Sequence, residues 1–411
     1  MPHLAEISKA FLKLGFTAFG GPAAHISMME QEFVNKRKWV SPQNFLDMIA
    51  TINCIPGPNS TQLAIYLGYI RGGYAGLFAA GACFIVPAML IILSIAYLYV
   101  QYGTLPKVHD TFLAINAAVI AVAVVAISRL GRTAIHDRFS TAIAIITLLL
   151  SSLKIPAVFN WLTLYVPSLD LPVRLFQYDL VLMFSSAIIG AIWYHKPSPK
   201  NAVTLKSIAV PAMLGSAMSS KFVTLILAFL KIGATLFGSG YLLLTYLQTD
   251  FVDRYHWLTH QQLLDAISVG QFTPGPLLTT ATFIGYLLGH QKFIDDANSP
   301  LPTHILCGIT GGMMATVAIF LPSFFLIMLV APLLQKYKDH PLMRGALNAT
   351  NACVLSLILL TILRMAFVSL VNPFFIAIAV ITFLLTVRKW NSTYVIILAA
   401  ISGLCRSGML H

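Results

Sequence analysis

Charged residues are scarce in this sequence of 411 residues. Asp, Glu, Lys and Arg make up 10% of it and hydrophobic residues 58%, whereas an ordinary soluble domain is about a quarter charged. Five segments contain none of the four: 72–106, 297–335, 345–363, 365–387 and 390–405. A helix needs about 20 apolar residues to cross a bilayer, and these continuous runs lack the alternation of a transmembrane β-strand. The sequence therefore predicts an all-α, polytopic transmembrane helical bundle.

Residues for metal, disulfide and catalytic chemistry are also few. The five cysteines form no CxxC pair, which argues against a disulfide framework or a zinc site. HExxH, GxSxG and Walker motifs are missing, so we predict that the protein is not an enzyme and needs no cofactor or metal. His256 and His260 have the spacing of a metal pair, but no carboxylate lies between them. The N-terminus lacks the layout of a signal peptide, and we expect its first apolar stretch to remain in the mature protein.

Acidic residues are the scarcer charged class. Asp and Glu number 14 against 26 Lys and Arg, for a formal net charge of +12. Basic residues cluster at the ends of apolar segments, at 36–38, 129–138, 196–206 and 388–389. This pattern is typical of the positive-inside bias of membrane proteins, so we predict the lipid bilayer, and not nucleic acid, as a partner. The positive excess also favours an anionic solute.

A long internal repeat runs through the sequence. A shift of 218 residues aligns 11–58 with 229–276 without a gap, and it brings FLKLGFTAFG onto FLKIGATLFG, Trp39 onto Trp257 and one Pro-Gly-Pro triplet onto another. Chance similarity between apolar segments does not reproduce Trp, Lys and Pro-Gly-Pro at one constant offset. The repeat indicates a duplication, and duplicated membrane proteins of this size are typically secondary transporters.

A polar, proline-containing linker separates the two repeats. We predict an N-terminal repeat at 1–195, the linker at 196–206 and a C-terminal repeat at 207–411. The basic run 36–38 has only Arg254 and a histidine opposite it in the second repeat. Because equivalent loops of inverted repeats face opposite sides of the membrane, this difference favours inverted repeats.

Four apolar stretches are interrupted near their middle by glycine and proline. The stretches are 14–29, 48–70, 232–249 and 266–291, and their interruptions are Gly20-Gly21-Pro22, Pro56-Gly57-Pro58, Gly238-Ser239-Gly240 and Pro274-Gly275-Pro276. Proline breaks a helix but is tolerated where a new one begins, so each stretch predicts two half-helices or a re-entrant hairpin. A helix N-terminus offers free amides and partial positive charge, which suit an anion. We therefore predict that the four breaks converge on an anion site.

The candidate substrate-binding residues lie in these breaks or close to them. They are Lys13, Gly20, Gly21, Pro22, His25, Asn53, Pro56, Gly57, Pro58, Asn59, Gln62, Lys231, Ser239, Gly240, Gln271, Thr273, Pro274, Gly275, Pro276 and Thr279. Lys13 and Lys231 have an alternative role, because long basic side chains also snorkel to the membrane surface. His25 has an alternative role as well, as a buried histidine that forms a structural hydrogen bond.

Other polar residues in apolar segments favour structural roles. Asp47 and Asp265 are the only identical acids matched by the repeat. We expect them to cap or pair, although proton transfer is an alternative. Asn116 and Asn348 are expected to form hydrogen bonds across helices.

Several motifs resemble those of the chromate ion transporter (CHR) family. They are FGGPAAHI (19–26), IPGPNSTQLAIYLGYIRGG (55–73) and FIVP (84–87) in the first half, and FGSG (237–240), FTPGPLLTTATFIGY (272–286) and LPSF (321–324) in the second. The resemblance covers about residues 5–365. It implies a carrier in the bacterial inner membrane that exports chromate and confers chromate resistance, with sulfate as a competing anion. The second half has Gly240 where the first half has Pro22. We therefore rank the first-half motifs above their second-half counterparts as candidates for the anion site.

Three other functions are open for such a chain. Another tetrahedral oxyanion such as sulfate needs similar donors, so a carrier for such an anion is the main alternative. Broken helices in repeated halves favour alternating access, but they are also compatible with an anion channel. An intramembrane enzyme would need the catalytic motifs that the sequence lacks. The sequence is compatible with a homodimer.

Overall fold

The protein is built from helices. The computed structural model describes residues 2–18, 21–52, 55–103, 106–135, 137–152, 179–194, 221–236, 242–291, 300–337, 341–370, 372–388, 390 and 392–409. The α-helices in these ranges are α1 (Pro2–Thr17), α2 (Gly21–Met29), α3 (Pro42–Ile52), α4 (Asn59–Tyr102), α5 (Pro106–Ala134), α6 (Arg138–Ser152), α7 (Asp179–Tyr194), α8 (Lys221–Thr235), α9 (Leu242–Leu247), α10 (His260–Phe272), α11 (Thr280–Gln291), α12 (Leu301–Tyr337), α13 (Pro341–Ser369), α14 (Pro373–Val387) and α15 (Ser392–Met409). The all-α prediction is confirmed.

Several of these helices suit a membrane. Within the described ranges, four segments are long and apolar enough to cross one: Asn59–Tyr102, Asp110–Ser128, Leu301–Leu329 and Asn348–Phe367. Four shorter apolar helices accompany them: Arg138–Ser152, Val181–Trp193, Pro373–Val387 and Tyr394–Arg406. Large apolar side chains such as Ile192, Leu329 and Phe367 are exposed on the outside of the bundle, where lipid tails would cover them. The prediction of a polytopic membrane bundle is confirmed.

Local backbone geometry repeats between the halves. The π-helical segments Glu30–Lys36 and Gln248–Arg254 have equal length and lie 218 residues apart. Immediately after them, Lys38 and His256 both have a φ of +53°, a conformation that no other non-glycine residue of the described ranges adopts. The duplication seen in the sequence therefore extends to backbone geometry that side-chain periodicity does not dictate.

Helix α4 is a hairpin rather than one straight rod. Gly72 and Gly73 depart from helical geometry, and Gly73 has a φ of +59°, which glycine adopts without steric cost. The chain reverses there, so that Gly68 packs against Gly76 and Ala80. Small residues at such contacts let two helix backbones approach closely, as is common in membrane proteins.

The same hairpin contact recurs between α11 and α12, where Gly285 packs against Gly311 and Ala315. We expect Gly285→Val to lower the free energy of unfolding by roughly 2 kcal/mol, the usual cost of overpacking a core. Thermal unfolding of the purified protein in detergent measures this. The control is Gly131→Ala, where the nearest atom to an added Cβ lies 3.7 Å away. If both variants lost the same free energy of unfolding, the close contact at Gly285 would not be the cause.

The second half also completes the apolar core of the first. Phe324 of α12 stacks on Phe78 of α4, with ring centroids 5.5 Å apart. Ile327 joins an apolar cluster whose other buried members all lie between Ile7 and Phe84. Helix α12 is thereby fixed against the first half, and its residues near 323 lie beside the first Pro-Gly-Pro loop.

Candidate functional site

The two Pro-Gly-Pro loops are each bound by the opposite half of the chain. The Gly57 amide donates to the Leu236 carbonyl oxygen at 2.5 Å, and the Gly275 amide donates to the Ala18 carbonyl oxygen at 2.8 Å. The repeat offset relates the two donors to each other and the two acceptors to each other. We call these contacts the first crossover (Gly57–Leu236) and the second crossover (Gly275–Ala18). Such a reciprocal exchange is what a two-fold relation between the halves produces.

The sequence of the loops explains why glycine makes these bonds. Proline has no amide hydrogen, so the glycine is the only donor that the main chain of each triplet offers. Gly57 has a φ of +133° and Gly275 a φ of +95°, and side chains are strained in this region of backbone space. Each glycine binds the carbonyl that follows the end of a broken helix, α8 for Gly57 and α1 for Gly275. Each Pro-Gly-Pro loop therefore meets the end of a broken helix of the opposite half.

Buried polar side chains lie beside the first crossover: Gln62 and Ser323 next to Gly57, with Thr61 preceding Gln62 in α4. Thr61, Gln62 and Ser323 are each 0% exposed. The Gln62 Nε2 donates to the Pro56 carbonyl oxygen at 2.6 Å. Within the described part of the chain, Thr61 Oγ1, Gln62 Oε1 and Ser323 Oγ have no hydrogen-bond partner. Helix α4 begins beside them, and no side chain caps its N-terminus, so free amides face the same region.

The second crossover has a different environment. The Ala18 carbonyl that binds Gly275 also lies 3.1 Å from His25 Nε2, and His25 is 1% exposed. Thr273 donates its hydroxyl to the Val269 carbonyl of α10 at 2.9 Å, and Thr279 donates to the Pro276 carbonyl at 2.6 Å. His25 Nδ1 and Gln271 Nε2 are buried atoms without a partner among the described residues.

Comparison with known proteins assigns the chain to a family. The family model described as chromate transporter matches residues 5–168 and 223–404, one stretch in each half. The chain belongs to the chromate transporter family. The resemblance seen in the sequence motifs is thereby confirmed. Together with the apolar helices, membership makes the chain an integral membrane protein of a family of transporters rather than of enzymes.

Relatives of this chromate transporter family member match it over most of their length. A chromate transport protein of Cupriavidus metallidurans is 26% identical over 419 residues, covering 99% of this chain and 94% of that protein. A probable chromate transport protein of Synechococcus elongatus is 28% identical, covering 97% and 95%. A chromate transport protein of Pseudomonas aeruginosa is 30% identical, covering 88% and 80%. No solved structure matches the chain.

The two repeat-related lysines of this family member have different surroundings. Lys231 Nζ lies 2.8 and 2.6 Å from the two carboxylate oxygens of Asp250, which is 3% exposed. Lys13 is exposed, and the carboxylate at the position equivalent to Asp250, Glu32, is bound by Arg37 at 2.8 Å. The positive charge of Lys231 is thus neutralised by Asp250, a residue of the same half. Of the two, Lys13 is the stronger candidate to attract an anion.

The remaining candidate residues fall into two groups. Gly20, Asn53, Ser239 and Gly240 lie outside the described residues of the transporter. The others begin new helices: Gly21 and Pro22 form the first turn of α2, Asn59 follows Pro58 as the first residue of α4, and Pro276 precedes the 3₁₀ turn Leu277–Thr279 that leads into α11. These helix starts agree with the prediction that proline and glycine divide the apolar stretches.

A second polar cluster joins the halves away from the loops. The Asp265 Oδ1 accepts hydrogen bonds from Asn116 Nδ2 at 2.7 Å and Gln261 Nε2 at 2.9 Å. The Tyr99 hydroxyl donates to Asp265 Oδ2 at 2.7 Å, and Ser268 donates to Asn116 Oδ1. Because Tyr99 and Asn116 belong to the first half, the cluster supports the structural interpretation of Asp265. The predicted cross-helix bond of Asn116 is confirmed.

Metal ligands are not gathered in the described ranges. No group of three His, Cys, Asp or Glu side chains stands close enough there to hold a metal ion. His260 Nδ1 lies 3.2 Å from Gln248 Oε1, so its ring contacts a neutral amide. The chemistry available at the crossovers is therefore hydrogen bonding by neutral donors and by free helix amides.

Proposed function

We propose that this protein is a secondary transporter that exports chromate across the bacterial inner membrane and so confers chromate resistance. The reciprocal crossovers carry the proposal, because they bring the four broken helices of two halves together inside one membrane bundle. The names of the relatives, chromate transport proteins in three bacteria, support chromate as the substrate. Sulfate, also a tetrahedral dianion, is expected to compete.

The proposed site binds the anion with dipoles rather than with a fixed countercharge. Chromate is doubly charged and must be released again, so neutral donors and helix N-termini suit it better than a buried arginine or lysine. Broken helices at the interface of two repeats are the usual location of a transporter's binding site. The repeats, 1–195 and 207–411, are proposed to be inverted. The halves would then rock against each other around the crossovers and open the site to one side at a time.

The test is chromate flux in proteoliposomes that contain the purified full-length protein, under imposed pH and potential gradients. We expect saturable chromate transport, with inhibition by sulfate and acceleration by anion on the opposite side. Greater transport of sulfate or molybdate than of chromate would instead support a general oxyanion carrier. Non-saturable flux without countertransport would support a channel and overturn the proposal.

Lys13→Gln tests whether the exposed lysine of the first half attracts the anion. We expect a several-fold lower chromate transport at low substrate, with a weaker dependence on ionic strength, because one screened surface charge is removed. Arg71→Gln is the matched control, since Arg71 already pairs with Glu6 at 3.0 Å and lies over the Trp39 ring at 5.5 Å. An equal effect of both changes would contradict a specific role for Lys13.

A further inference from the structure

The two crossovers differ in what faces their glycines. A Cβ built on Gly57 would overlap Gln62 Nε2 and lie 2.7 Å from Ser323 Oγ. A Cβ built on Gly275 would lie 2.6 Å from the Ala88 methyl and 3.5 Å from the Gly15 carbonyl oxygen. Gly57 thus faces groups that can donate hydrogen bonds, whereas Gly275 faces a methyl group and an acceptor. An anion needs donors, so the groups that directly face Gly57 suit one and those that directly face Gly275 do not.

The hydroxyl groups of Ser323 and Thr61 are exceptions among the described serines and threonines. A serine or threonine in a membrane helix usually donates to the carbonyl three or four residues earlier. Here Ser186, Thr316 and Thr361, among many others, do so at 2.7–2.9 Å. Ser323 and Thr61 are as deeply buried, yet neither has a partner among the described residues. A buried hydroxyl without a partner costs about 1–3 kcal/mol, which a ligand would offset.

Gln62 also lies beside Gly57. Its Nε2 holds the Pro56 carbonyl and has a second hydrogen to donate. Both halves contribute, because Thr61 and Gln62 belong to α4 and Ser323 belongs to α12. The arrangement also includes the uncapped N-terminus of α4. Gln62 Nε2 and Ser323 Oγ face the same point beside Gly57, and Thr61 precedes Gln62 in the first turn of α4. Neutral donors of this kind are what a tetrahedral oxyanion requires.

We infer that Ser323 is a substrate-coordinating residue and that the oxyanion is held at the first crossover by Ser323, Thr61 and Gln62, while the second crossover fixes the halves together. This inference rests on the proposed function and locates its site. The repeat cannot supply a second such site, because Ala88 of the FIVP motif stands where the second half has Ser323 in LPSF.

The experiment measures chromate, sulfate and molybdate transport by Ser323→Ala in proteoliposomes. Loss of one hydrogen bond to a charged ligand is expected to raise the half-saturating concentration about 10- to 100-fold. Ser356→Ala is the control, because Ser356 is also buried but donates to the Ala144 carbonyl at 2.7 Å. It should leave half-saturation unchanged. Thr61→Val, which keeps the side-chain shape, repeats the test independently, and it decides the result if Ser323→Ala is not recovered folded.

The outcomes separate this inference from the proposed function. If the wild type carries chromate and Ser323→Ala and Thr61→Val stay within about twofold of it, the inference is overturned and the proposed function stands. A wild type that carries sulfate or molybdate but not chromate overturns the proposed substrate, and the variants then test the site with that anion. A wild type that carries no oxyanion overturns both.

Discussion

Gly57→Ala is expected to reduce chromate transport to the background of empty vesicles. The added methyl overlaps Gln62 Nε2 and approaches Ser323 Oγ, and it forces a side chain onto a backbone with a φ of +133°. The backbone strain alone costs about 1–3 kcal/mol. The strain and the overlap together oppose the Gly57–Leu236 hydrogen bond, which closes the loop around the proposed anion site.

Chromate flux in proteoliposomes at matched protein content measures this effect. Gly73→Ala is the matched control, because Gly73 also has a positive φ but an added Cβ there meets no atom within 4 Å. Gly73→Ala should strain the backbone but leave the first crossover intact, so it should retain most of the chromate transport. If Gly57→Ala keeps more than half of the wild-type flux, the crossover is not part of the transport site.

Lys231→Met is expected to lower the free energy of unfolding by about 3 kcal/mol. It leaves the buried carboxylate of Asp250 without its ammonium partner, and breaking a buried ion pair on one side typically costs 3–5 kcal/mol. We take the lower end because 36% of the Lys231 side chain is exposed, against 4% for Asp250. Thermal or denaturant unfolding in detergent measures the loss.

Two further variants identify the cause of that loss. Lys231→Met combined with Asp250→Leu removes both charges and should recover most of the stability, since apolar replacement of a buried pair is often neutral. Lys13→Met, at the equivalent position of the first half, should cost little, because Lys13 is exposed and Glu32 is bound by Arg37. A double variant as unstable as the single one would show that the pair is not the cause.

The sequence predicts the positions of the breaks because proline and glycine act on the main chain next to them. Pro58 and Pro276 precede new helical turns, and α2 begins at Gly21, as the motifs indicate. The duplication is equally visible, since it rests on identical residues at a constant offset. Apolar runs predict helices in a membrane for a local reason as well, because the backbone there must bond to itself.

The partners of those breaks depend on tertiary structure and were not predictable. Gly57 binds Leu236, which lies in the opposite half of the chain, and no local pattern relates the two residues. Ser323 follows a proline in an apolar helix and looks in sequence like an ordinary small residue. Its importance depends on α12 packing against α4. The sequence predicts Lys231 as an anion ligand because no local pattern shows that Asp250, 19 residues later, pairs with it.

The reciprocal crossovers make the two halves obligate partners. Either half on its own would leave a glycine amide and a carbonyl without their bonds at membrane depth, where each unmade backbone bond costs several kcal/mol. A polypeptide with one such half would therefore need a second copy, or a sister chain, to close both loops. In this protein, one continuous chain supplies both members of that pair, and each half is free to diverge, as Ser323 and Ala88 have.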